Sequence, residues 1–491
     1  MSHQENAYKK ILKATSLFGA VQFSNLLISA VRHKFFAVLI GPAGYGTLSI
    51  LFTGFDLVRQ ATGLGVDVTG VKKISENTDE AFRNKAASII IKVSVITGLL
   101  GMLLFIALSY NLSIWAFGHP AYTLAIILIS GGILLRQITA AQGAVMQGMG
   151  RLRFLAKTSL YGNFIGLLST LPLFYFFKTD AILPSILISA LITFLISRYY
   201  YNKLGFSPVN IPFKQAVRQG KDMLYFGTLI SIHGLLPLLS GYIIQLYINH
   251  TGGKADVGFY NIGQTIINSY VGIIFTAMTM EYYPRLAGFN RDATKESAAV
   301  SQQAIFSVLL ILPVIILFLE CQPLIIRLLF SEKFTPALPM LSWLMLAMFF
   351  KAISFSIGYL IIARADSAVF LKTGLISNTV SVSLCIFGYQ VGGLEGLGQA
   401  FFIYYALHIA IVYSFTRLKY SLVLDKQLLK IIFTSLIIFI PAVGAIVFAH
   451  GLLKHIVLLV LFVVSCSFSY YQLNRRVKIT ALIKGFITKK R

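Results

Sequence analysis

One pattern restricts this chain more than any other. Runs of twenty or more mostly apolar residues follow one another, divided by short polar segments rich in lysine and arginine. A run of ~20 such residues is enough to cross the hydrocarbon core of a bilayer as a helix, and a helix satisfies its own backbone N–H and C=O groups there. We read about fourteen crossings, at 11–39, 44–69, 86–108, 121–147, 154–177, 181–201, 222–249, 257–283, 298–320, 336–363, 367–389, 395–416, 428–449 and 453–473. The expected fold is an all-α polytopic membrane protein. The charged share of 12% agrees, because soluble domains carry about twice as much. The longest intervening segment, NKLGFSPVNIPFKQAVRQGK at 202–221, is too short for a soluble domain.

The chain carries 42 Lys and Arg against 17 Asp and Glu, a net charge of +25. Nucleic-acid binding would need that charge on a soluble face, whereas here it falls between apolar runs. With the N-terminus placed in the cytoplasm, roughly three quarters of the basic residues lie on the cytoplasmic side, as the positive-inside rule requires. Arg32, Lys34, Lys178, Lys254, Arg327, Lys333 and Lys454 lie opposite, and Arg59, Lys92, Arg136 and Lys351 fall within crossings. Both termini are expected in the cytoplasm. The N-terminal MSHQENAYKKILKATS lacks the features of a cleaved signal peptide. The basic C-terminal RRVKITALIKGFITKKR is expected to rest on anionic headgroups.

A weak internal repeat divides the chain. GPAGYGTLSI (41–50) opens the second crossing and KADVGFYNIG (254–263) the eighth. Aligning Gly44 with Gly258 sets Tyr45 against Phe259 and lays 7–40 over 221–254. Six crossings separate the two copies, so the repeat is parallel, with its axis along the membrane normal. The expected organisation is an N-terminal lobe at 1–201, a cytoplasmic linker at 202–221, a C-terminal lobe at 222–416, and two extra helices with a basic tail at 417–491.

The charges inside the crossings carry the functional signal. Arg59 lies midway along the second crossing, where an ionised group facing lipid costs at least a few kcal/mol. Ser49, Thr53, Asp56, Arg59 with Gln60, and Gly63 recur at helical spacing and form one stripe. The stripe reads either as the wall of an aqueous cavity or as an Asp56–Arg59 pair neutralising itself between packed helices. Arg136, in GGILLRQITAAQGAVMQG, has no acid in its own helix; it is either a free functional cation or the partner of Asp56. Lys351 is about 13 residues, or ~20 Å, from either end of its helix, too far to snorkel out. Arg32 and Lys34 sit nearer the outer end, where interfacial anchoring would also explain them. Tyr260, Asn261, Gln264 and Asn268 form an uncharged polar stripe suited to interhelical hydrogen bonds or sugar hydroxyls. Three mid-membrane cations (Arg59, Arg136, Lys351) against one acid (Asp56) favour anions, and the arginine fork matches phosphate. These residues point to transport of an anionic, phosphate-bearing substrate, with Asp56 as the candidate for ion coupling.

The sequence shows no Gly-rich nucleotide loop, no cluster with metal-ligand spacing, and no large outer loop with paired carboxylates. We expect neither an enzyme nor a bound cofactor. His233 and His408 lie within crossings and read as structural. Cys321, Cys385 and Cys466 are too scattered for a disulfide framework.

The run RHKFFAVLIGPAGYGTLSILFTGFDLVRQATGLGV resembles the Wzx-type bacterial polysaccharide flippases, the O-antigen translocases, of the multidrug/oligosaccharidyl-lipid/polysaccharide exporter superfamily. Lys34, Gly41, Pro42, Gly44 and Gly46 fit their pattern of a basic residue, an apolar stretch and a Gly-Pro turn that opens the second helix. The resemblance is sharpest over residues 1–75. It implies two six-helix lobes around a central cationic cavity plus a C-terminal helix pair, alternating between inward- and outward-open states. It also implies a substrate of undecaprenyl pyrophosphate bearing an oligosaccharide repeat unit, moved across the bacterial inner membrane. Arg59, Arg136 and Lys351 would hold the pyrophosphate, with Arg32 and Lys34 further out. Partners would be membrane lipids, the polysaccharide polymerase and the chain-length machinery. The competing readings are a cation-coupled multidrug exporter of the same superfamily, which would favour acids over these cations, and a membrane polysaccharide polymerase.

Overall fold

The computed structural model describes residues 3–205 and 209–477, with side chains from Gly19 onward; the tail expected to anchor at 478–491 lies outside the described residues. Among those residues there is no strand, and ten helical runs are long and apolar enough to cross a membrane. Three of the runs exceed a single crossing and are broken internally. Helix α1 (His3–Gly63) is interrupted at Gly41, whose φ of 64° and ψ of −173° disfavour residues with a Cβ. Pro42 opens the next segment, where its missing N–H is tolerated. Beyond α2 (Val66–Ser75), α3 (Glu80–Phe117), α4 (Thr123–Ile129) and α5 (Gly131–Gly148), the second long run consists of α6 (Leu152–Phe177) and α7 (Ile182–Asn202), joined by one 3₁₀ turn. After α8 (Phe213–Gln219) and α9 (Lys221–Thr251), α10 (Lys254–Thr265) meets α11 (Gly272–Ala287) across a π-helical turn at Ile266–Tyr270. Helices α12 (Ala293–Leu329) and α13 (Leu338–Ala363) precede the third broken run, α14 (Ser367–Tyr420), which kinks at Gly392 and Gly393. The described chain ends with α15 (Lys426–Phe448) and α16 (Gly451–Val477).

Four of the scarce acids start helices. Asp79, Asp366 and Asp425 accept hydrogen bonds from the backbone N–H of Phe82, Val369 and Gln427. Asp292 does the same for α12, and the N–H of Lys295 holds its carboxyl below the usual carboxylate range. Each satisfies one of the orphan donors at a helix start.

The helices gather into two compact units, Met1–Gly258 with Leu329–Ser331 and Phe259–Leu328 with Glu332–Arg491. In the first, Phe36 packs on Phe174 and Phe55 on Phe105, with ring centroids 4.5 and 5.6 Å apart. Helix α9, which the repeat assigns to the second half, packs with the first unit. A Cβ on Gly227 would meet the Leu64 carbonyl at 2.0 Å, and Gln245 donates to the Thr53 hydroxyl at 3.1 Å.

The two segments of the expected repeat meet in the structure. A Cβ on Gly46 would meet the Lys254 carbonyl at 1.9 Å, and one on Gly258 the Pro42 carbonyl at 2.2 Å. Both contacts demand glycine, and they are reciprocal. They bring Gly46 and Gly258 together, and Gly41 and Gly253, which precede them at equal spacing, both have positive φ.

The second unit is built on α13, most of whose side chains are buried. Phe439 of α15 stacks on Phe349 at 4.5 Å, and Glu320 of α12 meets His455 of α16 at 2.9 Å, so both C-terminal helices attach to the unit's core. At one end, Arg364 grips Glu296 through Nε and Nη2, rests on the Tyr420 ring and donates to the Arg291 carbonyl. Glu296 is 3% exposed and Arg364 13%. Arg364→Ala leaves the carboxylate buried and unpaired, which costs ~3–5 kcal/mol. We expect clearly lower thermal stability in detergent, and Glu296→Gln/Arg364→Met to recover most of it.

Candidate functional site

The second half of α1 lies against α5 and α9, and this packing assembles the charged residues of the first unit. Asp56 sits between two arginines: Arg136 Nη1 is 3.1 Å and Arg59 Nε 3.9 Å from its Oδ1. The first contact is a charge-assisted hydrogen bond; the second is an ion pair beyond hydrogen-bond reach. Arg136 is therefore paired rather than free, and its guanidinium also lies over Phe52 and Phe55, with centroids at 5.5 and 5.0 Å. The side chains of Arg59 and Arg136 remain about a quarter exposed, so the group is not sealed between helices.

Arg32 approaches from the first half of α1. It donates to the Asn163 carbonyl of α6 at 3.1 Å and feels the repulsion of Arg136. Asn163 donates to Asn25, which donates to Ser159. This amide and hydroxyl seam joining α1 to α6 was not singled out in the sequence. Next to Arg32, His33 shares a 2.7 Å hydrogen bond with Tyr45. Lys34 is partly buried. Gln60 lies against α9, its Nε2 2.7 Å from where a Cβ on Gly234 would stand. Of the expected polar stripe, Ser49 turns its hydroxyl back to the Tyr45 carbonyl, as serine often does in a helix, and the Gly63 carbonyl accepts from Gln137.

A cavity of 760 Å³ with mixed polar and apolar walls lies within this unit. On α5 it is lined by Thr139, Gly143 and Gln147, which continue the face of Arg136 at helical spacing. Ser159 and Asn163 form part of the opposite wall. Arg136 lies one helical turn from Thr139 and Arg32 bonds the carbonyl of Asn163, so these two cations border a cavity whose own charged lining is Asp67 and Lys72.

The second unit has its own polar group. Lys351 donates to Asn268 Oδ1 at 3.3 Å, and Asn268 donates to Gln264 Oε1 at 3.0 Å. The ammonium lies between the rings of Phe275 and Tyr405, at 5.7 and 5.5 Å. No carboxylate stands within ion-pair distance of it among the described residues. Gln264 Nε2 is buried without a hydrogen-bond partner. Asn268 belongs to the π-helical turn, a feature frequent at functional sites. Lys92, the remaining intramembrane cation, bonds the Ile211 carbonyl and Asn210, so it holds the linker.

The fold is the all-α multi-pass fold of solved membrane transporters. The structure matches the lipid II flippase MurJ in an inward closed conformation with a TM-score of 0.68 at 14% identity, covering 93% of this chain and 99% of that one. It matches an inward-facing multidrug resistance MATE family transporter of the MOP superfamily with a TM-score of 0.61 at 15% identity, over 84% of this chain and 99% of that one. The family described as "Polysaccharide biosynthesis protein" matches residues 35–339, and the chain belongs to it. A Shigella flexneri protein named as an O-antigen transporter is 23% identical over 67% of this chain and 79% of its own length. A membrane protein in the cps region of Klebsiella pneumoniae is 20% identical over 83% and 82%.

Proposed function

We propose that this protein is a flippase that moves an undecaprenyl-pyrophosphate-linked oligosaccharide, an O-antigen or related polysaccharide repeat unit, from the cytoplasmic to the periplasmic leaflet of a bacterial inner membrane by alternating access. One observation carries the reading: Arg59 and Arg136 flank Asp56, and Arg32, held on the Asn163 carbonyl, adds a third guanidinium near Arg136, leaving an excess of positive charge in this group. A pyrophosphate crossing the hydrocarbon needs that charge, and guanidinium forks bind phosphate through paired hydrogen bonds. In this reading Arg59 and Arg136 take the pyrophosphate, Arg32 and Lys34 lie on its outward path, and Gln60 helps orient it. Asp56 holds Arg136 until phosphate competes for it and is the candidate for ion coupling. Lys351 with Gln264 and Asn268 forms a separate station that offers one positive charge and amides suited to sugar hydroxyls.

Splitting the three broken runs and counting α10 with α11 as one crossing supports the reading of about fourteen crossings; in this reading both termini are cytoplasmic and the lobes span 1–201 and 222–416. The family and the names of the relatives support a glycan substrate; the polymerase and chain-length machinery would act on the product. A drug exporter would favour free acids, and Asp56 is already held by arginine.

The test is deletion in the chain's own host, which avoids a mismatched glycan. Surface polysaccharide should be lost while the complete lipid-linked unit accumulates in the cytoplasmic leaflet. Unchanged surface polysaccharide would overturn the reading, as would repeat units that reach the periplasm and remain unpolymerised.

A further inference from the structure

Helices α11, α12, α15 and α16 of the second unit enclose a cavity of 1020 Å³ that takes no part in the proposed transport. On α11 its wall is one helical stripe, apolar at Ile274 and Met278 and charged at Glu281 and Arg285. From Ile274 to Arg285 the stripe runs ~16 Å at helical rise. Helix α12 runs the other way and matches it level for level, with Ser301 at the polar end and Phe306 and Leu310 at the apolar end. Asp425, at the start of α15, is fixed at the polar level because its N–H donates to Ser301 Oγ at 3.0 Å. Arg476, near the end of α16, completes that level. The cavity is therefore an amphiphilic slot whose polar mouth lies where these helices end.

The mouth holds two carboxylates, Glu281 and Asp425, and two guanidiniums, Arg285 and Arg476, so its formal charge is zero. An anionic headgroup would meet as many carboxylates as arginines. A zwitterion fits better: its phosphate can take the guanidiniums while its ammonium, with three donors, reaches the carboxylates. One donor there stands open. Arg285 Nε is shielded from solvent and, although 3.2 Å from Glu281 Oε1, makes no hydrogen bond.

We propose that this slot is a binding site for a zwitterionic aminophospholipid, phosphatidylethanolamine in a bacterial membrane, with its headgroup among Glu281, Arg285, Asp425 and Arg476 and an acyl chain along Phe306 and Leu310. The primary ammonium sets the specificity. Phosphatidylcholine has no N–H to give the carboxylates, and phosphatidylglycerol has no cation.

Native mass spectrometry of the full chain, titrated separately with phosphatidylethanolamine, phosphatidylcholine and phosphatidylglycerol, tests this. Wild type should bind phosphatidylethanolamine at least ~5-fold more tightly than either other lipid. Glu281→Gln removes an exposed carboxylate, and Asp425→Asn keeps a good helix cap, so both variants should fold; together they should bring the preference to within about twofold. Equal binding of the three lipids by wild type would overturn the proposal. A preference that survives in the double variant would do the same, as would displacement of phosphatidylethanolamine by undecaprenyl phosphate at equal concentration, which would make the slot part of the transport path.

Discussion

Arg136→Ala, expressed at wild-type level in the deletion strain, is expected to leave surface polysaccharide at the level of the deletion itself. A charge-assisted hydrogen bond to phosphate is worth ~2–3 kcal/mol, or roughly 30- to 150-fold in affinity, and no neighbour replaces a guanidinium held over Phe52 and Phe55. The bland alternative is that Arg136 only neutralises Asp56 at 3.1 Å. The double variant Asp56→Asn/Arg136→Gln separates the two. Neutralising both partners removes the stranded charge, so a purely structural pair would transport normally once both are changed. If Arg136 handles substrate, the double variant stays inactive at normal abundance. Asp56→Asn alone should keep substantial activity if Asp56 merely parks the arginine, and should lose it if Asp56 couples transport to an ion. Full transport by Arg136→Ala would remove this residue from the site.

The fold was legible because hydropathy and glycine act locally. Apolar runs set the crossings, and Gly41-Pro42 announced a break that the structure places there. The contact between the two segments of the expected repeat was not legible. Tyr45 and Phe259 suggested an alignment of aromatic residues, whereas the positions under constraint are Gly46 and Gly258, each facing a backbone carbonyl of the opposing helix. Such a contact leaves no trace in either segment alone. The Asp56–Arg136 contact was foreseeable by elimination, since one acid stood among three cations. The Glu296–Arg364 pair was not, because each residue sits at the edge of an apolar run and reads as a solvated loop charge. Only packing shows the carboxylate to be 3% exposed. Lys92 reads in the opposite sense, as a charge inside a crossing, yet it bonds the carbonyl of Ile211. The link between Lys351 and Asn268 was hidden for a further reason. A π-helical turn at Ile266–Tyr270 shifts the face that Asn268 presents, and regular 3.6-residue periodicity carries no sign of it.

Lys351→Met is expected to separate stability from function, with opposite signs. The ammonium has an amide oxygen and two aromatic faces as neighbours, and no carboxylate stands within ion-pair distance of it among the described residues. Lys351 is only partly buried, so the cost of a charge with no counter-ion among the described residues is reduced, and a methionine of similar length and no charge should raise the unfolding free energy by no more than ~1 kcal/mol. Asn268 keeps its bond to Gln264, so the local hydrogen bonding survives. If Lys351 is retained because it meets an anionic headgroup, the stabilised variant should fail to restore surface polysaccharide, while Lys351→Arg should restore part of it. A gain in stability with full transport would show that the charge is dispensable to function. A loss of stability would contradict the physical account itself, because it would mean that the lysine has a counter-ion in the folded protein. The combination of higher thermal stability and absent transport is the pattern expected where a site is strained for its task, and a purely structural lysine would not produce it.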